Sequence, residues 1–429
     1  MLNRREALLK GMERVTGWIL FLFVLAFLLT SASPRAGNLI DRARAFTRTH
    51  EFNYDAWTAD AAWLKIRQSA LGLPDYVQRG DQIEAVMESL RLTESILRAE
   101  DQLQRIFADP GIKDKEKESA HIRAELDKLN TRQNQIAPLA ESVIELQVTA
   151  TLAELGLTLG GQPTPPVHYH VTPLPMNLVI SRRDKIEQIS AISLQPDTSL
   201  EDQIEIEDGV AQTLDVSTLV VPVGGIGTYP TMVMRTNYFT WQVGTVIHEW
   251  THNFLSLRPL GINYGTTPEL RTMNETTASI VENEIGPLLL ARYYPTMTAS
   301  FPDLSRVAWN PNNPQPDEPP PFDFRAEMHE TRVHADELLA AGKIDEAEAY
   351  MEQRRQVFWD NGYLIRKLNQ AYFAFYGAYA DIPGGPAGED PVGPAVRALR
   401  AQSASLAEFL NTISWMNSYQ DLLEAIGKQ

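Results

Sequence analysis

Thr245-Val246-Ile247-His248-Glu249-Trp250-Thr251-His252-Asn253-Phe254-Leu255 decides how the rest of the chain is read. The run holds no proline, and no glycine after Gly244, so it propagates as helix. Two histidines at i and i+4 lie about 40° apart around a helix, so both imidazoles can reach one zinc ion at about 2.0–2.1 Å. The glutamate beside the first histidine can then take a proton from a water activated there. Val243, Ile247, Trp250 and Phe254 form an apolar stripe on roughly the opposite side. The spacing predicts a helix gripped by core on one face and carrying chemistry on the other.

Downstream, Thr267-Pro268-Glu269 is a helix start, with threonine as cap and proline in the first position. It leads into Met273-Asn274-Glu275-Thr276-Thr277-Ala278-Ser279-Ile280-Val281-Glu282-Asn283-Glu284. His248-Glu249-x-x-His252 followed by Asn274-Glu275-x-x-Ala278-Ser279 resembles the gluzincin metallopeptidases, which include thermolysin and the aminopeptidase N relatives. The likeness is close over about 40 residues. It implies that His248, His252 and Glu275 hold zinc (Zn2+) and that Glu249 is the general base. One departure stands out: in the family an aspartate that orients a ligating histidine often follows the small residue, and here that place is Ser279. A serine can orient a histidine by hydrogen bonding but supplies no negative charge.

Periodicity alone does not choose between Glu275 and Glu282, since seven residues make nearly two turns. They are roughly 10 Å apart along a helix axis, so one ion cannot take both. The small residue and hydroxyl one turn beyond Glu275 favour that residue as ligand, and Glu282 is expected at the substrate end of the cleft. An aminopeptidase would need a carboxylate for the substrate's amine, and Glu282 or Glu284 could serve.

The resemblance also implies an edge strand that binds peptide backbone ahead of the active-site helix. Val220–Val223, then Gly224-Gly225-Ile226-Gly227-Thr228-Tyr229-Pro230-Thr231-Met232-Val233-Met234, occupies that place, and its glycines would let a backbone approach closely. A plain hairpin turn explains them equally well. The family further uses a tyrosine or histidine to stabilise the oxyanion. Asn369, Tyr372, Tyr376 and Tyr379 share a helix face, which makes Tyr372 and Tyr376 the candidates, although such stripes commonly pack a core.

The wider composition narrows the alternatives. The formal charge is −17, with no basic excess to neutralise phosphates, so a nucleic-acid binder is excluded. Cysteine is absent, so any metal must be held by His, Asp or Glu. His168 and His170 would point to one side of a strand as ligands can, but with no acidic partner nearby in sequence they read as ordinary strand histidines. His329 and His334, at i and i+5, lie about 140° apart and cannot share an ion on a regular helix.

Ahead of the globular part, Val15–Leu29 is an apolar run, extending weakly to Ala32, and Arg4, Arg5, Lys10 and Arg14 precede it. That pattern suits a membrane anchor with a cytoplasmic N-terminus, or a signal peptide cut near Thr30-Ser31-Ala32. Either way the remaining chain is expected outside the cytoplasm.

The expected fold class is α+β and mostly α-helical: a small sheet on an active-site helix pair, flanking helical regions, and one N-terminal transmembrane helix. The expected organisation is a tail at 1–14, a membrane segment at 15–32, a helical region at 33–160, a zincin-like catalytic core at 161–308, a Pro-rich linker at 309–322 and a helical region at 323–429. Gly160–Pro166 marks the break before the core. The expected activity is zinc-dependent hydrolysis of a peptide or protein substrate. The runner-up is an idle metal-binding scaffold of the cell envelope.

Overall fold

Helical spacing of Ile83, Val86, Leu90, Ile96, Leu97, Leu103 and Ile106, with a stop at Asp109-Pro110-Gly111, predicts a long helix followed by a turn. The computed structural model describes residues 38–108, 113–296, 322–377 and 391–427. Helices α1 (Leu39–Thr47) and α2 (Tyr54–Leu71) lead into a hairpin of α3 (Arg79–Ala108) and α4 (Lys115–Glu154). Near the tip, Ile96 and Ala99 pack on Ile122 and Leu126. The inner half, with Val143, Ile144, Val148 and Leu152, enters the main core.

Two three-stranded sheets follow where one was expected. Strands β1 (Tyr169–Val171), β2 (Met176–Arg182) and β3 (Gln188–Leu194) precede α5 (Leu200–Leu214). After it come β4 (Val216–Val221), β5 (Gly225–Ile226) and β6 (Thr231–Val233). One sheet is antiparallel in the order β3-β2-β4. Its centre is apolar on both sides because both sides are covered. Leu178, Ile180 and Val220 face Ala43, Ile206 and Val210, whereas Val179, Leu219 and Val221 face Ala371 and Phe375. The other sheet has the order β1-β6-β5, with β1 and β6 parallel and β5 antiparallel to β6.

Next come α6 (Phe239–Ser256), a one-turn α7 (Pro259–Ile262) and α8 (Pro268–Tyr293), which starts where Thr267 accepts a hydrogen bond from the Leu270 amide. The paired α6 and α8 lie at the centre of the largest apolar cluster. That cluster draws Val86 and Leu152 from the hairpin, Val243, Ile247 and Trp250 from α6, and Val396, Phe409 and Leu422 from near the C-terminus. Gly160–Pro166 is therefore no free tether: the Trp250 indole donates to the Pro165 carbonyl at 2.9 Å.

Beyond the core run α9 (Phe324–Ala340), α10 (Ile344–Asp360), α11 (Gln370–Tyr376), α12 (Val392–Gln402), α13 (Leu406–Ile413) and α14 (Tyr419–Ala425). Helix α10 stops at Asn361 and Gly362, whose φ of 87° only glycine adopts freely. Helix α14 starts at Ser418, which closes a capping box with Asp421. The membrane segment expected at 15–32, Tyr379 and the proline-rich stretch Asn310–Pro321 lie outside the described residues.

Candidate metal centre

Helix α6 is buried on nearly every side, so the face carrying His248, Glu249 and His252 is pressed against α8 and β5 rather than water. On α8, Glu275 meets both histidines: its Oε2 lies 3.5 Å from His248 Nε2 and 3.4 Å from His252 Nε2. Those ligand atoms all fall within 4.8 Å of one another. Glu275 Oε2 is buried and accepts no hydrogen bond. An orphaned buried carboxylate oxygen is costly unless something else satisfies it. Two ligands about 2.05 Å from a tetrahedral ion stand about 3.4 Å apart, which fits the separations from Glu275 to both nitrogens. The trio can hold a metal ion.

The far nitrogen of each imidazole is engaged. His252 Nδ1 donates to Asn274 Oδ1 at 2.7 Å, and His248 Nδ1 faces Glu282 Oε2 at 3.1 Å. Both bonds leave Nε2 turned toward Glu275, the orienting arrangement typical of metal-ligating histidines. Glu282 therefore sits on a histidine rather than at the substrate end of the cleft, and it supplies the negative charge that Ser279 does not. Glu284 is engaged as well, by the Arg400 guanidinium at 2.7 and 2.9 Å. Neither carboxylate stands ready for a substrate amine.

Burial would raise the Glu275 carboxyl, but His252 and His248 hold it well below the usual carboxylate range. Burial would lower His248, yet Glu275 and Glu282 raise it well above its ordinary value, and Glu275 likewise raises His252. Burial lifts the Glu249 carboxyl, with His252 and His248 opposing. A carboxylate lifted by burial is a better proton acceptor than one free in water.

The backbone of β5 lies directly on Glu249. A Cβ at Gly225 would come within 2.6 Å of Glu249 Oε1, and one at Gly227 within 3.0 Å of His252 Cβ. The opposite edge of the same sheet is sealed. The Tyr169 and Val171 amides donate to Glu145 and Glu141 of α4, each at 3.0 Å. Among the described residues, β5 pairs only with β6 and keeps its other edge open.

Tyr372 and Tyr376, their rings tilted at 45° with centroids 4.6 Å apart on α11, pack with Val179, Leu219 and Val221 against the β3-β2-β4 sheet. The hydroxyl that meets the trio is that of Tyr264, which donates to Glu275 Oε1 while its ring stands edge-on to His252. Burial and the Glu275 charge push the Tyr264 phenol far up, so it remains a donor. Tyr264 lies in the irregular stretch between the one-turn α7 and α8, where no periodicity marks a functional residue. The signal was there: a lone tyrosine between the second histidine and the glutamate.

His168 and His170 do have acidic partners, contrary to the sequence expectation. His168 Nδ1 lies 3.2 Å from Glu145 Oε2, and His170 Nδ1 lies 3.0 Å from Glu141 Oε1. Lys65 completes the group, with Nζ 2.7 Å from Glu141 Oε2 and 2.9 Å from Glu145 Oε1. Every oxygen of the two carboxylates is taken, so the cluster is a structural ion network. No protein-family model, curated protein or solved structure matches this chain.

Proposed function

We propose that this chain is a membrane-tethered metallopeptidase that uses zinc held by His248, His252 and Glu275. The observation that carries the reading is the orphaned Glu275 Oε2, buried opposite two imidazole nitrogens whose orientation Glu282 and Asn274 fix. Two nitrogens and one carboxylate oxygen form a donor set that suits Zn2+ and leaves a coordination position for substrate. Zinc, when bound, polarises the scissile carbonyl and makes a water acidic near neutral pH.

The protein's own groups supply the rest. Glu249 accepts a proton from the attacking water and delivers it to the leaving amine, which its burial and its place beside His248 favour. Tyr264 steadies Glu275 through its hydroxyl. The open edge of β5 offers backbone hydrogen bonds to an extended peptide, and its glycines bring that peptide within reach of Glu249. The sealed β1 edge leaves β5 as the place where a strand can add.

The tether is Val15–Leu29 with its basic flank, which puts residues after Ala32 outside the cytoplasm. A C-terminal reporter active only in the cytoplasm would overturn that orientation. The catalytic reading is tested by metal analysis of the purified protein together with cleavage of a peptide library. Stoichiometric zinc and hydrolysis lost in Glu249→Gln are expected. Stoichiometric metal without hydrolysis would return the chain to an idle metal-binding scaffold of the cell envelope, and absence of bound metal would end both readings.

A further inference from the structure

Helix α2 buries polar side chains and leaves large apolar ones outside. Its buried face carries Lys65 and Gln68 beside Ala61, while Trp63 and Ile66 are 62% and 60% exposed. At 100° per residue, Ile66, Ala59, Ala70, Trp63 and Ala56 fall within an outward arc of about 80°. The three alanines are exposed as well. Asp60 and Arg67 flank one side of this stripe and Asp55 the other, and Leu71 at the helix end and Tyr76 beyond it are exposed as well.

The helix cannot roll to hide the stripe. Lys65 is anchored between Glu141 and Glu145 of α4, and the same two carboxylates hold the β1 amides. Turning Trp63 inward would pull a buried ammonium away from both carboxylates that compensate it. The fold thus fixes α2 with a contiguous apolar surface outward, which soluble surfaces rarely keep without a partner.

From this we infer that the outward stripe of α2 lies in the headgroup region of the membrane that carries the tether. The inference rests on the tether in the proposed function. Leu29 is ten residues from Leu39, the first residue of α1. Ten residues span at most about 35 Å, so the start of α1 is held within that distance of the bilayer and α2, which begins seven residues after Thr47, is within reach of it. The chemistry of the stripe fits that position. A tryptophan at the centre and a tyrosine at one end match rings that settle at headgroup depth. Asp60 and Arg67 sit at the rim, where charged tips remain in water. The stripe has no basic belt, so contact depends on apolar insertion rather than on anionic lipid. Such a contact would orient the metal cleft relative to the bilayer.

The absence of native cysteine allows a direct test. The full chain is reconstituted into phosphatidylcholine vesicles with a single nitroxide label at Ala59→Cys, at Ala70→Cys, or at Ala341→Cys as an exposed control in the α9–α10 turn. Collisions with oxygen, which concentrates in lipid, and with a water-soluble nickel chelate are measured. Both stripe labels are expected to be severalfold less accessible to nickel than the control and more accessible to oxygen. Adding anionic lipid should change neither result. Stripe labels as open to nickel as the control would overturn the inference. So would labels closed to both reagents, which would mean that a second copy, another protein or the Val15–Leu29 segment covers α2. An alkaline wash judges the tether separately. Protein retained after the wash with wet stripe labels leaves the tether standing and removes this contact. Lipid-facing labels on protein that washes off would do the reverse, and a chain that never binds vesicles loses both.

Discussion

Glu282 Oε2 lies 3.1 Å from His248 Nδ1, and this approach needs the bare backbone of Gly244, where a Cβ would collide with the Glu282 carboxylate. The bond joins the middle of α8 to the face of α6 that carries the first histidine. It supplies from one turn farther along the helix the negative charge that an aspartate at Ser279 would have given.

Glu282→Ala should therefore weaken metal binding by about 10–100-fold, the usual effect of losing an orienting partner of a ligating histidine. Glu282→Gln can still accept from Nδ1 but carries no charge, so it should fall between the two. Gly244→Ala should resemble Glu282→Ala, because it displaces the carboxylate without removing it. Chelator competition with the purified proteins measures all three. Wild-type affinity in Glu282→Ala would return that residue to the substrate end of the cleft, where the sequence first put it.

Removing a ligand and removing the base should separate cleanly. Glu275→Ala deletes the carboxylate that both histidines face and should abolish stoichiometric metal. Glu249→Gln keeps all three donors, so metal should remain while turnover drops by about 10²–10⁴-fold, the range for a positioned general base. Elemental analysis and peptide cleavage on the same preparations check both. Stoichiometric zinc in Glu275→Ala would show the ligand assignment to be wrong.

What the sequence disclosed follows from the range of each signal. The α6 and α8 pair was legible because it is periodic and locally punctuated: Thr267 caps α8 as its threonine-proline start implied. The buried half of α4 was not, since Pro138, Glu141 and Glu145 look like a solvated face until Lys65, His168 and His170 arrive from distant segments. Glu282 was misplaced because helical period gives a face but not the reach of a side chain across to another helix. Tyr264 was missed because loops carry no period, and Tyr372 and Tyr376 were favoured because α11 does.

The contact of β5 with Glu249, the proposed base, supplies a third prediction. Gly225→Ala puts a methyl group where Glu249 Oε1 and the Thr245 side chain already sit, at 2.6 and 2.7 Å. The base must swing aside or the strand must lift, and either change spoils the alignment of peptide and proton acceptor. Turnover should fall by about 10-fold or more, since misplacement by 1 Å can cost 10²-fold. Metal content should be unchanged, because none of the three ligands is touched. Unaltered kcat/KM in Gly225→Ala would mean that substrate does not lie along β5.

The ion network beneath α2 supplies the last prediction. Burial raises the Glu141 carboxyl, but Lys65 and His170 more than reverse this and lower it from 4.5 to about 2. A carboxyl whose folded value is depressed contributes stability above its unfolded value and loses that contribution as pH falls toward the folded one. Wild-type protein should therefore lose on the order of 3 kcal/mol between about pH 4.5 and pH 2 from this group alone. The ammonium of Lys65 is shifted upward against burial by the same two glutamates, so its own contribution fades only in strong alkali. Lys65→Met removes the cation and leaves two buried carboxylates facing each other, which should cost about 3–5 kcal/mol at neutral pH. The variant should also lose the steep acid dependence, because protonating Glu141 would then relieve repulsion instead of breaking a pair. Urea unfolding at pH 7 and pH 3 measures both effects. Equal acid sensitivity in the two proteins would show that Lys65 does not hold Glu141 in its charged form.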